Sequence, residues 1–390
     1  MPWKETCFMD ERVRFIAAVA EAEENRSESF AAVCRRFGIS WRAGYKWVQR
    51  YERAGVDGLK DQPRAPHRCP HRTPDHVRDA LIELRKEFAH WGPKKLRDVL
   101  LQRQPQWHLP APSAIGAILK DAGLIRPPRR RVRTPPSLVP LAPGESPNDL
   151  WCVDFKGHFA LGDGSRCHPL TLTDHVSRYL LKCEALAQPR LPAVRVHFER
   201  AFREYGIPLR IRSDNGPPFA STGLGGLTEL SVWWIKLGIL PERIEPGKPQ
   251  QNGRHERMHR TLKAEATQPP APALAGQQRV FDRFRGIYND VRPHEALGQK
   301  TPASRYHPSH RPMPEHAVSP EYPDAMKTRR LDECGRLCLG GRPVPFCKAL
   351  AGEPVGLELI EDTTWNVFYG PILLAEVRVR GRRDLIVHAA

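Results

Sequence analysis

Apolar positions recur along this chain with two different periods. Between Phe30 and Arg53 they fall at helical spacing in two short runs, Val33 and Phe37 in the first and Gly44, Val48 and Tyr51 in the second. Gly38 supplies a tight turn between the runs and Ser40 a cap for the second, which predicts a helical pair. The polar face of the second helix carries Arg42, Lys46, Arg50 and Arg53. A basic stripe there is where a helix-turn-helix enters a major groove; the competing reading is the solvated face of a hairpin. A second helical unit starts at Thr73-Pro74, runs through Val77, Leu81, Leu84 and Phe88, and breaks at Trp91-Gly92-Pro93. Two further helices follow, one through Leu96 and Leu100 and one capped by Ser113 that turns Ile115, Ile118 and Leu119 inward and closes at Gly123.

From Asp149 the period shortens to two. L-W-C-V-D-F-K-G-H-F-A-L, H-P-L-T-L-T-D-H and Y-L-L-K-C-E-A-L predict three strands of an antiparallel meander. A helix over 193–205, a short strand at I-R-S-D-N-G, a helix over 227–237, an extended P-E-R-I-E-P-G and a helical G-R-H-E-R-M-H-R-T-L-K-A-E-A complete the region. Strands first, then alternating helices and strands, imply an α/β mixed sheet with helices on its faces. Past a proline-loaded stretch over 301–323, short apolar segments separated by Gly, Pro and Asp turns predict a small C-terminal β-barrel. The chain is therefore expected to be multidomain. The divisions are an all-α helix-turn-helix DNA-binding domain over 1–65, a second helical domain over 72–126, a basic Pro-rich linker over 127–148, the α/β core over 149–310 and the barrel-like domain over 328–390.

Composition narrows the class of partner. The 390 residues include 61 Lys and Arg against 44 Asp and Glu, a formal net charge of +17, and residues 1–145 hold 27 of the cations against 17 acids. Acidic partners are expected, with DNA foremost. Hydrophobic residues at 40% are enough for real cores. No apolar run is long enough to span a bilayer, and the N-terminal decapeptide does not read as a signal peptide, so a cytoplasmic, nucleoid-associated protein is expected. Nine scattered cysteines suit reduced thiols. Cys69 beside His67 and His71, and Cys334 four before Cys338, lack the second pair that a structural zinc site needs.

Three carboxylates stand out. Asp154 lies inside a strand between Val153 and Phe155, a costly place for a lone charge unless it is paired or binds a metal. Asp214 falls at a strand end, where open α/β sheets expose functional groups, and Glu256 falls near the start of a helix. Hard oxygen ligands of this kind suit two Mg²⁺ or Mn²⁺ ions, which about 4 Å apart can support an in-line phosphoryl displacement. Around them, Lys248, Gln250, Gln251, Asn252 and Gly253 form a polar loop suited to phosphates and bases. Glu256, His259, Arg260 and Lys263 recur at three and four along the helix, as a ligand followed by positive charge. His255-Glu256-Arg257-Met258-His259 also spells the zinc-protease H-E-x-x-H, but such helices are buried, and Arg254, Arg257 and Arg260 are interleaved here. The histidines are better suited to phosphates or to the surroundings of the carboxylates. Asp174 reads as a turn residue.

W-C-V-D-F, S-D-N-G-P-P-F and P-G-K-P-Q-Q-N-G-R-H-E-R-M-H-R-T-L-K, with the trailing Y-N-D-V-R-P-H-E-A-L, resemble in order and content the motif blocks of insertion-sequence transposases with a retroviral-integrase-type catalytic core. The resemblance runs from about Asp149 to Pro308. It implies an RNase H-like fold in which Asp154, Asp214 and Glu256 form a D-D-E metal-binding triad and Lys263 contacts the DNA end. It further implies a homo-oligomer on DNA that binds terminal inverted repeats, cleaves at the 3′ ends and joins them to target DNA. The interval between Asp214 and Glu256 holds 41 residues, longer than in many relatives, and the Gly-rich segment 221–226 can absorb the surplus as a loop. The alternative is a catalytically silent DNA-binding regulator or domesticated transposase. The C-terminal region, with Arg378, Arg380, Arg382 and Arg383, suits either DNA contact or simple capping.

Overall fold

The structure, a computed structural model, describes residues 7–62, 72–125, 141–339, 341–361, 363–380 and 384–389. His67, Cys69, His71, the basic run 126–133, Arg382 and Arg383 lie outside the described residues. The chain divides into two compact units, Met1–Arg72 and Thr73–Ala390.

Among its described residues the first unit holds three α-helices, α1 (Phe8–Glu24), α2 (Phe30–Arg36) and α3 (Trp41–Ala54). Gly38 takes a φ of +68° and turns the chain out of α2, and Ser40 Oγ accepts from the Ala43 N–H to cap α3, as the spacing predicts. Phe15, Val19, Val33, Cys34 and Leu59 form its core. α1 was not foreseen, and it is what buries Val33 and Cys34. Tyr51, expected inward, is 39% exposed. The close approach falls instead at Gly44, where a Cβ would meet Cys34 Sγ at 2.6 Å and Phe30 Cζ at 3.0 Å.

In the second unit, α4 (Asp75–Glu87), α5 (Pro93–Arg103) and α6 (Pro112–Asp121) bury Val77, Leu81, Leu84, Trp91, Leu96, Leu100, Ile115 and Leu119 together. Pro112 opens α6 and Ala111 is its N-cap, so Ser113 lies inside the helix and does not cap it.

A mixed sheet follows. Its elements are β1 (Leu150–Phe155), β2 (Phe159–Ala160), β3 (Arg166–Asp174), β4 (Leu180–Leu186), α7 (Leu191–Tyr205), β5 (Arg210–Ser213), α8 (Glu229–Lys236), β6 (Leu240–Arg243), α9 (Gly253–Ala266) and α10 (Leu274–Gly286). β1, β3 and β4 form the expected antiparallel meander; β5 then pairs parallel with β1, and β6 parallel with β5. Alternation decides what each face does. Trp151, Val153, Leu170 and Leu172 pack with Phe198 and Phe202 of α7 and Trp233 and Trp234 of α8. The other positions, Cys152 and Asp154 of β1 opposite Thr173 and Thr171 of β3, make the second face partly polar.

The C-terminal strands are β7 (Lys327–Arg330), β8 (Arg336–Leu339), β9 (Arg342–Pro345), β10 (Pro354–Glu361), β11 (Thr364–Tyr369), β12 (Ile372–Arg380) and β13 (Asp384–Ala389). They correct the expected barrel. The order β13-β12-β11-β10-β7 is an open antiparallel sheet beside a separate β8-β9 hairpin, with no closed barrel among the described residues. Leu227, Val232 and Ile235, at and beside α8, pack on Val355, Val367, Tyr369 and Leu374, so a neighbouring helix covers the apolar face that closure would otherwise hide.

Gly44→Ala is expected to loosen the first unit by about 1–3 kcal/mol, because the methyl group has no room against Cys34. Amide exchange by mass spectrometry should quicken in peptides from residues 7–62 and stay unchanged over 150–240.

Candidate active site

β1 and β5 run parallel, so Asp154 near the end of β1 and Asp214 just past β5 emerge at the same edge of the sheet. Glu256 lies in the first turn of α9 and is exposed. Burial, then the charge of Asp214, and less strongly that of Glu256, push the Asp154 carboxyl up to about 7; the Phe155 backbone and Lys156 pull the other way. Asp214 is also raised, by burial, and its Oδ1 accepts the Gly216 N–H at 3.2 Å. The sequence-predicted carboxylates are thus electrostatic neighbours, and among the described residues neither aspartate forms an ion pair with a lysine or arginine, Lys156 acting on Asp154 only through space.

α9 is held to the polar face of the sheet by its histidines. Thr171 Oγ1 lies 2.7 Å from His255 Nε2 and 2.6 Å from His259 Nε2, and donates to the Asp154 carbonyl at 3.0 Å. Having spent its one proton there, the hydroxyl accepts from both rings. Thr173 Oγ1, 2.7 Å from His255 Nδ1, is then the donor to that ring. Burial drives His255 down to about 3, and burial followed by His255 drives His259 down to about 2, so both are neutral. His259 Nδ1 stands 3.6 Å from Asp154 Oδ2, which for a neutral ring is a polar contact and not an ion pair.

Several expectations change in consequence. His259 is 5% exposed and faces Asp154, the second of the two places expected for the histidines, so the exposed face read as continuous from Glu256 to Lys263 loses it. Glu256, Arg260 and Lys263 remain together on the exposed side of α9. The H-E-x-x-H histidines bind strand threonines while the glutamate and arginines point outward, the opposite of a protease helix. Gln251 and Asn252, expected to meet DNA, are buried. Gln251 bonds Glu245 through its side chain and accepts from Arg212 Nη1 through its carbonyl at 3.1 Å. Lys248 is ion-paired with Glu245. Asp174 is structural, as expected: its carboxylate accepts from Asn148 and Ser177 at 2.6–2.8 Å.

In the first unit, Arg42, Lys46 and Arg53 are exposed along α3, while Arg50 lies over Trp47 at 5.1 Å and donates to Gln62 at 2.8 Å. Sequence reasoning passed over Trp41 and Tyr45, which are 59% and 50% exposed among these cations. Their spacing of four was the available signal. Arg212 was also missed. It is 2% exposed and ties Glu242, the 251 carbonyl and the 142 carbonyl together under the loop that leads into α9.

Among the described residues no group of three or more His, Cys, Asp or Glu side chains is close enough to hold a metal ion as they stand. The donor chemistry nevertheless suits one. Two unneutralised carboxylates at adjacent strand ends, with a third beside them, are hard oxygen donors of the kind Mg²⁺ and Mn²⁺ take.

Comparison with known proteins gives matches to families, to individual proteins and to solved structures. Residues 144–249 and 237–302 match Integrase core domain families, residues 11–67 a Helix-turn-helix domain and residues 43–119 a Homeodomain-like domain. The chain is 29% identical over 227 residues to the insertion element IS407 uncharacterized 31.7 kDa protein of Burkholderia multivorans, covering 57% of this chain and 78% of that one. It is 28% identical over 225 residues to the insertion element IS476 uncharacterized 39.2 kDa protein of Xanthomonas euvesicatoria, covering 57% and 62%. It is also 28% identical over 197 residues to the Gag-Pol polyprotein of Koala retrovirus, covering 48% of this chain and 10% of that one. Among solved structures, the HTLV-2 integrase catalytic core domain in complex with magnesium aligns at a TM-score of 0.34 and 19% identity, over 42% of this chain and 99% of that one.

Without divalent cations, Asp154 should destabilise the fold above neutral pH. Its raised folded-state value means the folded chain binds more protons than the unfolded one between about 4 and 7, so stability falls as pH rises through that window. Asp154→Asn is therefore expected to raise stability at pH 8 by on the order of a few kcal/mol, with a smaller gain at pH 5, read from denaturation midpoints in EDTA.

Proposed function

We infer, for a chain that belongs with the insertion-sequence transposases carrying an integrase-type core, that it binds the terminal inverted repeats of its element, hydrolyses the DNA at the element's 3′ ends and joins those ends to target DNA. The observation that carries this reading is the pair of unneutralised aspartates at adjacent strand ends, in a chain of net charge +17. Two acids left without an ion pair in so basic a protein support a role in holding a cation.

Asp154, Asp214 and Glu256 would hold the divalent cations that integrase-type cores use. When bound, such ions neutralise developing charge and activate the attacking oxygen in an in-line displacement. The remaining work falls to the chain's own residues. Neutral His259, hydrogen-bonded to Thr171, fixes α9 beside Asp154 without placing a competing cation against it. Arg260 and Lys263 continue from Glu256 along the exposed side of α9 and suit the phosphates flanking the scissile bond. Lys248, half-exposed beside Glu245, is a lesser candidate for the same role.

In the first step water displaces the element's 3′-oxygen at the scissile phosphorus, leaving a 3′-hydroxyl on the element and a 5′-phosphate on the flank. In the second that hydroxyl attacks a target phosphodiester, so one ester replaces another. No covalent protein intermediate is needed; the protein contributes position and charge. The exposed Arg42, Lys46 and Arg53, together with Arg50, and the aromatic Trp41 and Tyr45 on α3, are the proposed repeat-reading surface. A homo-oligomer would hold two ends together.

With Mg²⁺ and DNA carrying the element's ends, the chain should nick and join strands. Asp154→Asn and Glu256→Gln should each reduce both reactions at least about a hundredfold while still shifting the same DNA in a gel, a loss scaled to removing one charge-stabilising group. Undiminished cleavage by either variant would sink the assignment. Binding without nicking by the unaltered chain in Mg²⁺ or Mn²⁺ would favour the silent-regulator alternative.

A further inference from the structure

Helical spacing gives α9 two exposed flanks. Glu256 and Lys263 occupy one, Arg254, Arg257 and Thr261 the other, and Arg260 stands between them. Against the second flank lies a cavity of about 240 Å³ whose wall collects Arg178, Arg254, Arg257, Arg260, Lys95 and Arg292. Its one acid, Glu295, is engaged by Lys94 at 2.8 Å. Arg292 is held by Glu265 at 2.5 Å, Lys95 donates to the Pro293 carbonyl and Arg254 to the His175 carbonyl at 3.2 Å. Arg178, Arg257 and Arg260 have no hydrogen-bonding or ion-paired side-chain partner among the described residues.

So many cations around one hollow repel each other. Burial and then Arg292 bring Lys95 down to about 8; burial and then Arg254 bring Arg178 down to about 10. Arg178 is further held at a φ of +66°, a backbone state that residues other than glycine adopt at a cost. His294, also in the wall, is kept neutral and leaves Nε2 buried without a hydrogen-bond partner among the described residues. Packing alone accounts for none of this, since the wall's single carboxylate, Glu295, is paired with Lys94 outside the hollow and leaves the arginines in excess. The arrangement is that of a receptor for an anion with several acceptor oxygens, which guanidinium groups grip in pairs.

We propose that this hollow seats a phosphate of the DNA backbone, at a site beside the carboxylates and separate from them. A DNA strand is favoured over a small free anion because Arg260 joins the hollow to the exposed face that carries Glu256 and Lys263, so a strand lying on that face reaches both. The site positions DNA and takes no part in bond making. It rests on the reading of this chain as a protein that works on DNA.

The test uses the full chain and a labelled duplex of arbitrary sequence, with binding followed by fluorescence anisotropy over a range of salt concentrations. Arg257→Gln, on the exposed side of the helix, should weaken binding several-fold at low salt and reduce the slope of log K against log salt by about one. Unrelated duplexes should suffer equally, and Arg257→Lys should recover most of the loss. An unchanged melting temperature would exclude misfolding, and Arg178→Gln should repeat the effect. Unaltered slopes in both glutamine variants overturn the proposal, as does binding of inorganic phosphate at the hollow with no change in duplex affinity. Scoring Mg²⁺-dependent nicking of the unaltered chain in parallel separates the two readings. Nicking with unchanged slopes removes the hollow alone; reduced slopes without nicking support the hollow and count against the proposed reaction.

Discussion

One hydroxyl fixes the angle at which α9 meets the sheet. Thr171 Oγ1 accepts from two neutral imidazoles one helical turn apart and donates to the backbone of Asp154. Apolar packing by Met258, Leu262 and Ala266 could tolerate small rotations of the helix, but this hydrogen-bond set cannot. A shift of one residue would swing every side chain by about 100° around the axis. Glu256 would then leave the edge where Asp154 and Asp214 emerge, and Lys263 and Arg260 would leave its side. The whole arrangement of acids and cations on α9 therefore depends on a buried polar contact that holds the helix in one rotational position.

The second organising constraint is how charge is divided. Structural cations are satisfied by structural acids: Arg212 by Glu242, Arg292 by Glu265, Lys182 by Glu204 and Lys236 by Glu353. Around α9 two further groups of charge are sorted by sign. Among the described residues Asp154 and Asp214 stand together without an ion-paired cation, while Arg178, Arg257 and Arg260 stand together without an ion-paired acid. A fold optimised for stability alone would let these groups neutralise one another, since Asp154, Asp214 and Arg178 are each partly buried at an electrostatic cost. Their separation across one helix is what a protein needs if it is to grip a polyanion with one group and place cations on it with the other.

Much of this was legible in the chain because it rests on local periodicity. The alternation in W-C-V-D-F and P-L-T-L-T-D fixes strands and faces, and Gly38 and Ser40 mark a turn and a cap whose geometry only a few residues permit. Asp154 inside a strand, Asp214 at a strand end and Glu256 near a helix start are likewise local readings of the chain. What was not legible depends on which neighbour covers a face. His259 reads as part of an exposed basic stripe until Thr171, from a strand 88 residues earlier, claims it. Gln251 and Asn252 look like polar loop residues until buried Arg212 draws the loop inward. The C-terminal strands have the alternation of a barrel, yet Val232 and Ile235 of α8 supply the cover that makes closure unnecessary. α1 was missed because acids fall on much of its surface and leave a weak apolar stripe.

The central claim is that Asp154 and Asp214 are kept unpaired for a divalent cation. Titration of the full chain with Mn²⁺, with free ion followed by electron paramagnetic resonance, tests it without needing the DNA substrate. Binding should be saturable, displaced by Mg²⁺ and reduced at least about tenfold by Asp214→Asn, the scale of losing one carboxylate ligand. Saturable binding that Asp214→Asn leaves intact, or no saturable binding at all, would contradict it.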